Sequence, residues 1–238
     1  MKKEKLIILA LDSTAEVSTV AVCDRERLLS EITVNTGNTH SATLLPAVEQ
    51  ALKMAEITVN DVDVFACSTG PGSFTGVRIG TATVKGIAYG KKKPCVSVST
   101  LEALAYNLAD RNGVICPVMN ARRGQVYNAL FRYENGALTR LCEDRAIAAL
   151  DLEQELLQRN EPVYFCGDGV GEIKRLCKEI SMSEAPASLV DQNAVSVAKC
   201  AHRAYLRGEC CTDAELAPVY LRLPQAERER LEKMQKEN

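Results

Sequence analysis

The 238 residues include only two histidines, His40 and His202, far apart and each without a partner. A histidine-based metal centre is therefore not marked; the residue four beyond His40 is Leu44. His40 reads instead as a capping or surface residue. The ten cysteines contain no C-x-x-C pair, and Cys210 and Cys211 are adjacent. That suits neither a zinc site nor a simple bridge. Cys23, Cys67, Cys95, Cys116 and Cys166 sit in apolar runs, the pattern of reduced, buried thiols in a cytosolic protein. Positive charge is not in excess, since the net charge is −2. A protein that grips nucleic acid alone normally carries a basic face. Any nucleic-acid role is then shared with a partner. The apolar run in MKKEKLIILALD meets Asp12 too soon for a signal peptide or a membrane span. A soluble, cytoplasmic protein is expected. There is no G-x-S-x-G elbow, and nothing marks a Ser-His-Asp or Cys-His device.

Hydrophobic residues make up 46%, enough for one large domain or two lobes with separate cores. The stretch ACSTGPGSFTGVRIGTATVKGIAYG, residues 66–90, organises the rest. Residues 62–67 read as a buried strand, 69–73 as a tight turn and 75–88 as a helix. Gly72, Gly76 and Gly80 recur every fourth residue and share one helical stripe. Ala82, Gly86 and Gly90 form a second stripe. Glycine inside a helix costs about 1 kcal/mol relative to alanine. Close approach of another backbone is the physical reason to keep it there. The turn does not fit a dinucleotide fingerprint, because Gly70, Gly72 and Gly76 are one residue out of spacing and Pro71 lacks an N–H. It is no P-loop either, because Val77 and Arg78 follow Gly76. The free N–H groups of residues 73–75 remain able to hold an anion.

Along the chain, strands are expected at 6–11, 17–23 and 28–34, an opening β-meander. A helix over 39–55 follows, with Leu44, Val48 and Leu52 on one apolar face and Leu45 widening it. Ser99 and Glu102 form a capping box that opens a helix to about residue 110. A second meander begins near residue 114, through the turn Asn120-Ala121-Arg122-Arg123-Gly124 and on to 142. Asp151 is expected to cap a short helix, Gly167-Asp168-Gly169 to turn into one ending near 180, and Asn193 to cap one reaching 207. The order β-β-β-α-β-α-β-α, then β-β-β-α-β-α-α, is an internal repeat. It predicts two lobes of related design with a cleft between them. The lobes are expected at 1–99 and 100–223, the last helices able to return to the first lobe, with a charged helical tail at 224–238.

Asp12, Ser13 and Thr14 have the parts of a phosphate loop, and also those of an ordinary hairpin turn. With Ser73 and Asp168 they would make half of a phosphoryl-transfer site. No second acid accompanies Asp12 in a motif. Arg122-Arg123 would suit a phosphate or a solvated turn equally in kind.

LALDSTAEVSTVAV, HSATLLPAVEQAL, STGPGSFTGVRIG, VSTLEALA, MNARRGQVYNALF and APVYLR, in this order, resemble the TsaB (YeaZ) family. The G-P-G-S-F-T-G-V-R-I-G block is specific to that family and its catalytic paralogue TsaD. The resemblance implies a two-lobed ASKHA fold, actin-like and RNase H-like. It implies work with TsaD and the ATPase TsaE in placing a threonylcarbamoyl group on the tRNA adenosine beside the anticodon. TsaD is then the catalyst, and ATP and metal belong to the partners, with no cofactor held by this chain. Where TsaD carries a metal-binding histidine pair, this sequence has Thr100 and Leu104. The resemblance further implies a surface of the first helix and the glycine-rich helix that pairs with TsaD or with a second copy. Its residues would be Leu44, Leu45, Val48, Leu52, Gly72, Gly76 and Gly80. Packing of the glycine face inside its own lobe is the other reading. Two further functions stay open: an ASKHA phosphotransferase using Asp12, Ser13, Ser73 and Asp168, and a metallopeptidase.

Overall fold

Two five-stranded sheets carry the fold, and they have the same strand order. The computed structural model describes residues 5–222. The expected charged tail, residues 224–238, lies outside the described residues. The first sheet uses β1 (Ile7–Asp12), β2 (Ser18–Asp24), β3 (Arg27–Val34), β4 (Val64–Gly70) and β5 (Cys95–Ser99), in the order β3-β2-β1-β4-β5. The meander β1-β2-β3 is antiparallel, while β4 and β5 join parallel to β1. The second sheet uses β6 (Val114–Arg122), β7 (Gln125–Glu134), β8 (Ala137–Ala148), β9 (Val163–Cys166) and β10 (Ser183–Glu184). Its order, β8-β7-β6-β9-β10, repeats the first, with the same antiparallel and parallel pairings.

The helices are α1 (His40–Met54), α2 (Phe74–Ala88), α3 (Thr100–Tyr106), α4 (Ala149–Arg159), α5 (Val170–Leu176), α6 (Ala187–Val190) and α7 (Ala194–Leu206). β1 reads IILALD with every residue buried, because it lies mid-sheet with both faces covered. One face is covered by α1 and α2, through Leu44, Val48, Leu52 and Val84 against Leu9 and Leu11. The other is covered by α7, whose Val197, Ala198 and Ala201 pack with Ile8 and Ala10. α7 thus returns to the first sheet after the chain has built the second. α3 serves both sheets. Ala103 and Tyr106 face the first, and Leu101, Leu104 and Ala105 face the second.

The local signals act largely as their chemistry dictates. The Ser99 hydroxyl oxygen accepts the Glu102 N–H at 3.2 Å, and Asn193 Oδ1 accepts the Val195 N–H at 2.7 Å. Asp151 does not cap α4; it sits in the first turn, and Ala148 holds the cap position. β8 runs on to Ala148, beyond the expected 142, because its register with β7 resumes past irregularities near Leu130. α5 stops at Leu176, short of 180.

Residues 210–222 form a strap back across the first lobe. Cys211 exchanges backbone hydrogen bonds with Cys95 at 2.8 and 2.9 Å. Leu216 enters the core beneath α2. The Val219 N–H donates to the Thr69 carbonyl at 2.7 Å. Tyr220 stacks on Phe74 with ring centres 4.7 Å apart. Arg222 then reaches the second lobe, donating to the Ala121 carbonyl at 2.7 Å.

Candidate functional site

A cleft of about 850 Å³ opens between the lobes. Its first-lobe wall is the β1–β2 turn and the N-terminal ends of α1 and α2; its second-lobe wall is the end of β6 with Asp168. Of the five residues expected at a phosphate site, Thr14, Ser73 and Asp168 line this cleft. Asp12 and Ser13 do not; both are buried behind it.

The reason lies in the contact between the turn and α2. Asp12 Oδ1 accepts from the Thr14 N–H and the Thr14 hydroxyl, both at 2.7 Å. Burial pushes its carboxyl above the ordinary 3.8, against the lowering effect of the Thr14 hydrogen bonds. The Ser13 hydroxyl donates to the Gly76 carbonyl at 2.9 Å. The Ser73 N–H donates to the Thr14 carbonyl at 2.7 Å, and its hydroxyl oxygen caps α2 by accepting the Gly76 N–H at 3.3 Å. The Ser13 hydroxyl and Asp12 Oδ1 are thus engaged within the protein, while Asp12 Oδ2 is buried without a hydrogen-bond partner. On the far wall, Asp168 Oδ1 accepts the Asn120 N–H at 3.2 Å. The walls around Asp168 push its carboxyl up, opposed by that bond.

The glycine stripe is part of the same contact. A Cβ at Gly72 would stand 2.5 Å from the Thr14 carbonyl oxygen, and one at Gly80 2.6 Å from Ser13 Oγ. A Cβ at Gly76 would collide with the Ser13 carbonyl oxygen. Three glycines let α2 lie directly on the turn. Most residues named for the expected partner surface are therefore occupied by contacts within the chain. Gly72, Gly76 and Gly80 pack inside their own lobe. Leu44, Val48 and Leu52 are likewise core residues. Of the seven, Leu45 alone faces outward, and it is 57% exposed.

The second stripe does face outward. Ala82, Gly86 and Gly90 are exposed, and a Cβ at Gly86 meets nothing within 4 Å. Leu45 and Met54 of α1 and Tyr89 beyond α2 are exposed as well. The strap crosses α2 beside it, held by Lys85 Nζ, which donates to the Ala214 and Leu216 carbonyls at 2.9 Å. Ala82 and Gly86 stay uncovered.

His40 caps nothing. Its Nε2–H donates to the Ala15 carbonyl at 2.7 Å, so the ring closes one corner of the cleft. Arg122 also lines the cleft, beside Asn120 and Tyr127. Arg122, Arg123 and Gly124 all have positive φ, at 64°, 56° and 72°. A turn is legible there in the residues, but nothing marks its arginines as adopting this conformation. Thr100 and Leu104 are both buried, and Leu104 packs in the core under the second sheet. Among the described residues no group of three His, Cys, Asp or Glu could hold a metal ion. No helix among them is long and apolar enough to cross a membrane.

Known proteins match this arrangement. The family model described as TsaD, tRNA N6-adenosine threonylcarbamoyltransferase, matches residues 28–229. The tRNA threonylcarbamoyladenosine biosynthesis protein TsaB of Bacillus subtilis (strain 168) is 30% identical over 222 residues, covering 93% of this chain and 96% of that protein. The chain belongs to the TsaB family. The TsaB protein of Escherichia coli (strain K12) is 28% identical over 223 residues, covering 90% of this chain and 94% of that one. The solved structure of YeaZ from Pseudomonas aeruginosa superposes with a TM-score of 0.76 at 27% identity, covering 91% of this chain and all of that one. The duplicated sheets are thus those of the TsaB family fold seen in YeaZ.

Proposed function

We propose that this chain serves tRNA threonylcarbamoyladenosine biosynthesis as the non-catalytic partner of a TsaD-type transferase. The reading is supported most by one observation: α2 lies on the β1–β2 turn, and the Ser13 hydroxyl and Asp12 Oδ1 are taken up there. The buried Thr100 and Leu104, in place of metal ligands, agree with this. The chain's contribution is a shaped surface. Leu45 and the Ala82–Gly86 stripe let a partner helix come close, because small side chains allow backbones to approach. In isolation the same face pairs two copies of the chain. TsaE and the tRNA join through TsaD, and ATP and metal belong to those partners.

The test is reconstitution in the cytoplasmic reduced state. TsaD and TsaE, with tRNA and the threonylcarbamoyl donor, are assayed with and without this chain. Modification that needs both TsaD and this chain is the expected result. Modification by this chain alone would reject the proposal. The competing phosphotransferase reading keeps only Thr14, Ser73 and Asp168 at the cleft. Saturable Mg-ATP binding lost in Thr14→Val would favour it.

A further inference from the structure

Most arginines of this chain stand beside a carboxylate, as Arg132 does with Glu161 and Arg145 with Glu155. Among the described residues, those with no ion pair are Arg27 on β3 and a group that lies together: Arg78, Arg122, Arg123 and Arg222.

The end of the strap joins that group. Arg78 Nε donates to the Tyr220 hydroxyl at 2.8 Å, and its guanidinium lies 5.6 Å from the ring centre. Tyr220 stacks on Phe74 of the cleft wall and is still 40% exposed. Arg222, two residues on, bonds the carbonyl of Ala121, the residue before the exposed Arg122 and Arg123. The hairpin there is held in place, because Asn120 Oδ1 accepts the Arg122 N–H at 2.8 Å. The acids of the cleft wall, Glu16 and Asp168, make an ion pair with none of the four arginines. One rim of the cleft therefore gathers uncompensated cations around an exposed aromatic pair, in a chain whose net charge is −2.

We propose that this rim is a direct contact for the tRNA that TsaD brings. The inference rests on the function proposed above and adds a site on this chain to it. Guanidinium groups match phosphate oxygens with paired hydrogen bonds. An exposed aromatic face beside them suits an unpaired base. An acidic peptide would meet the cations but leave the stacked rings without a role. Arg78 is four residues before Ala82, about one helical turn. RNA on the rim would thus run on to a partner docked along the Ala82–Gly86 stripe. The small size of the patch agrees with a grip shared between two proteins.

The test is fluorescence anisotropy of a labelled, unmodified tRNA transcript at a series of salt concentrations. The titrants are the full chain alone and its TsaD complex. The double variant Arg122→Gln, Arg123→Gln removes two cations whose guanidinium groups bond nothing among the described residues, so melting temperature and TsaD affinity should not change. Its tRNA binding should weaken at least fivefold. The fall of log affinity with log salt should become shallower by about one for each arginine that holds a phosphate. If the double variant fails to fold, Arg123→Gln alone carries the test. Unchanged affinity and salt dependence would overturn the proposal. So would loss of TsaD binding in the variant, which would assign the arginines to TsaD, or absence of tRNA binding by both chain and complex. If the chain and TsaD form no complex, the function proposed above fails, and the titration of the chain alone decides the rim.

Discussion

The Ser13 hydroxyl donates to the Gly76 carbonyl, and the Ser13 carbonyl oxygen stands where a Gly76 Cβ would be. One residue thus bonds the helix and forbids it a side chain. This fixes the β1–β2 turn on α2 and sorts the helix into an inner and an outer face.

Two substitutions in one helix should then act in opposite directions. Gly76→Ala drives a methyl into the backbone of Ser13, and should destabilise by at least about 2 kcal/mol. Gly86→Ala adds a methyl in open space and gains helix propensity. It should stabilise by about 0.5–1 kcal/mol. Urea unfolding of both variants reads this directly; equal effects would mean that the faces are wrongly assigned.

The buried Asp12 carboxyl has a pKa raised above 3.8 in the folded chain. Its protonated form favours folding, so its contribution is fully present below pH 3.8 and is lost as pH rises through the raised value. Asp12→Asn keeps an oxygen for Thr14 and removes the ionisation. Its stability relative to the parent should rise with pH across that window, and it should be at least as stable at neutral pH. Denaturant curves at a series of pH values, acid to neutral, give the answer. A variant that loses ground as pH rises would contradict the assignment.

Lys85 pins the strap through two carbonyls. Lys85→Met should lower stability by about 1–2 kcal/mol and speed hydrogen exchange at the Val219 amide. Exchange unchanged at Val219 would show that Leu216 and Tyr220 hold the strap without it.

All ten cysteines are free thiols, and seven of them are buried. Burial pushes Cys23 and Cys166 up to about 12, and Cys95 and Cys177 up to about 11. A thiol reagent at pH 8 should therefore label the exposed Cys210 first. Mass spectrometry after brief labelling locates the modified residue; early modification of Cys67 or Cys116 would mean that the core opens easily.

The duplicated meander was legible because alternation and turn residues are local signals. So were the caps at Ser99 and Asn193, where side chain and backbone lie within three residues. The inward set of the glycine helix was not legible. Gly76 and Gly86 look alike in sequence, and only the position of Ser13, 63 residues away in the chain, decides which is buried. The same holds for Leu44 and Leu45. An apolar helix stripe says that a face is covered, without saying by what. The return of α7 and the strap to the first sheet depends on long-range packing by small residues such as Ala198 and Ala201.

The outer face of α1 and α2 is tested most directly by calorimetric titration of TsaD into the parent chain and into Gly86→Trp. The parent should bind saturably. The variant should keep its melting temperature, because Gly86 faces open space, and should bind at least tenfold more weakly. Equal affinity for TsaD in a folded Gly86→Trp chain would contradict the account.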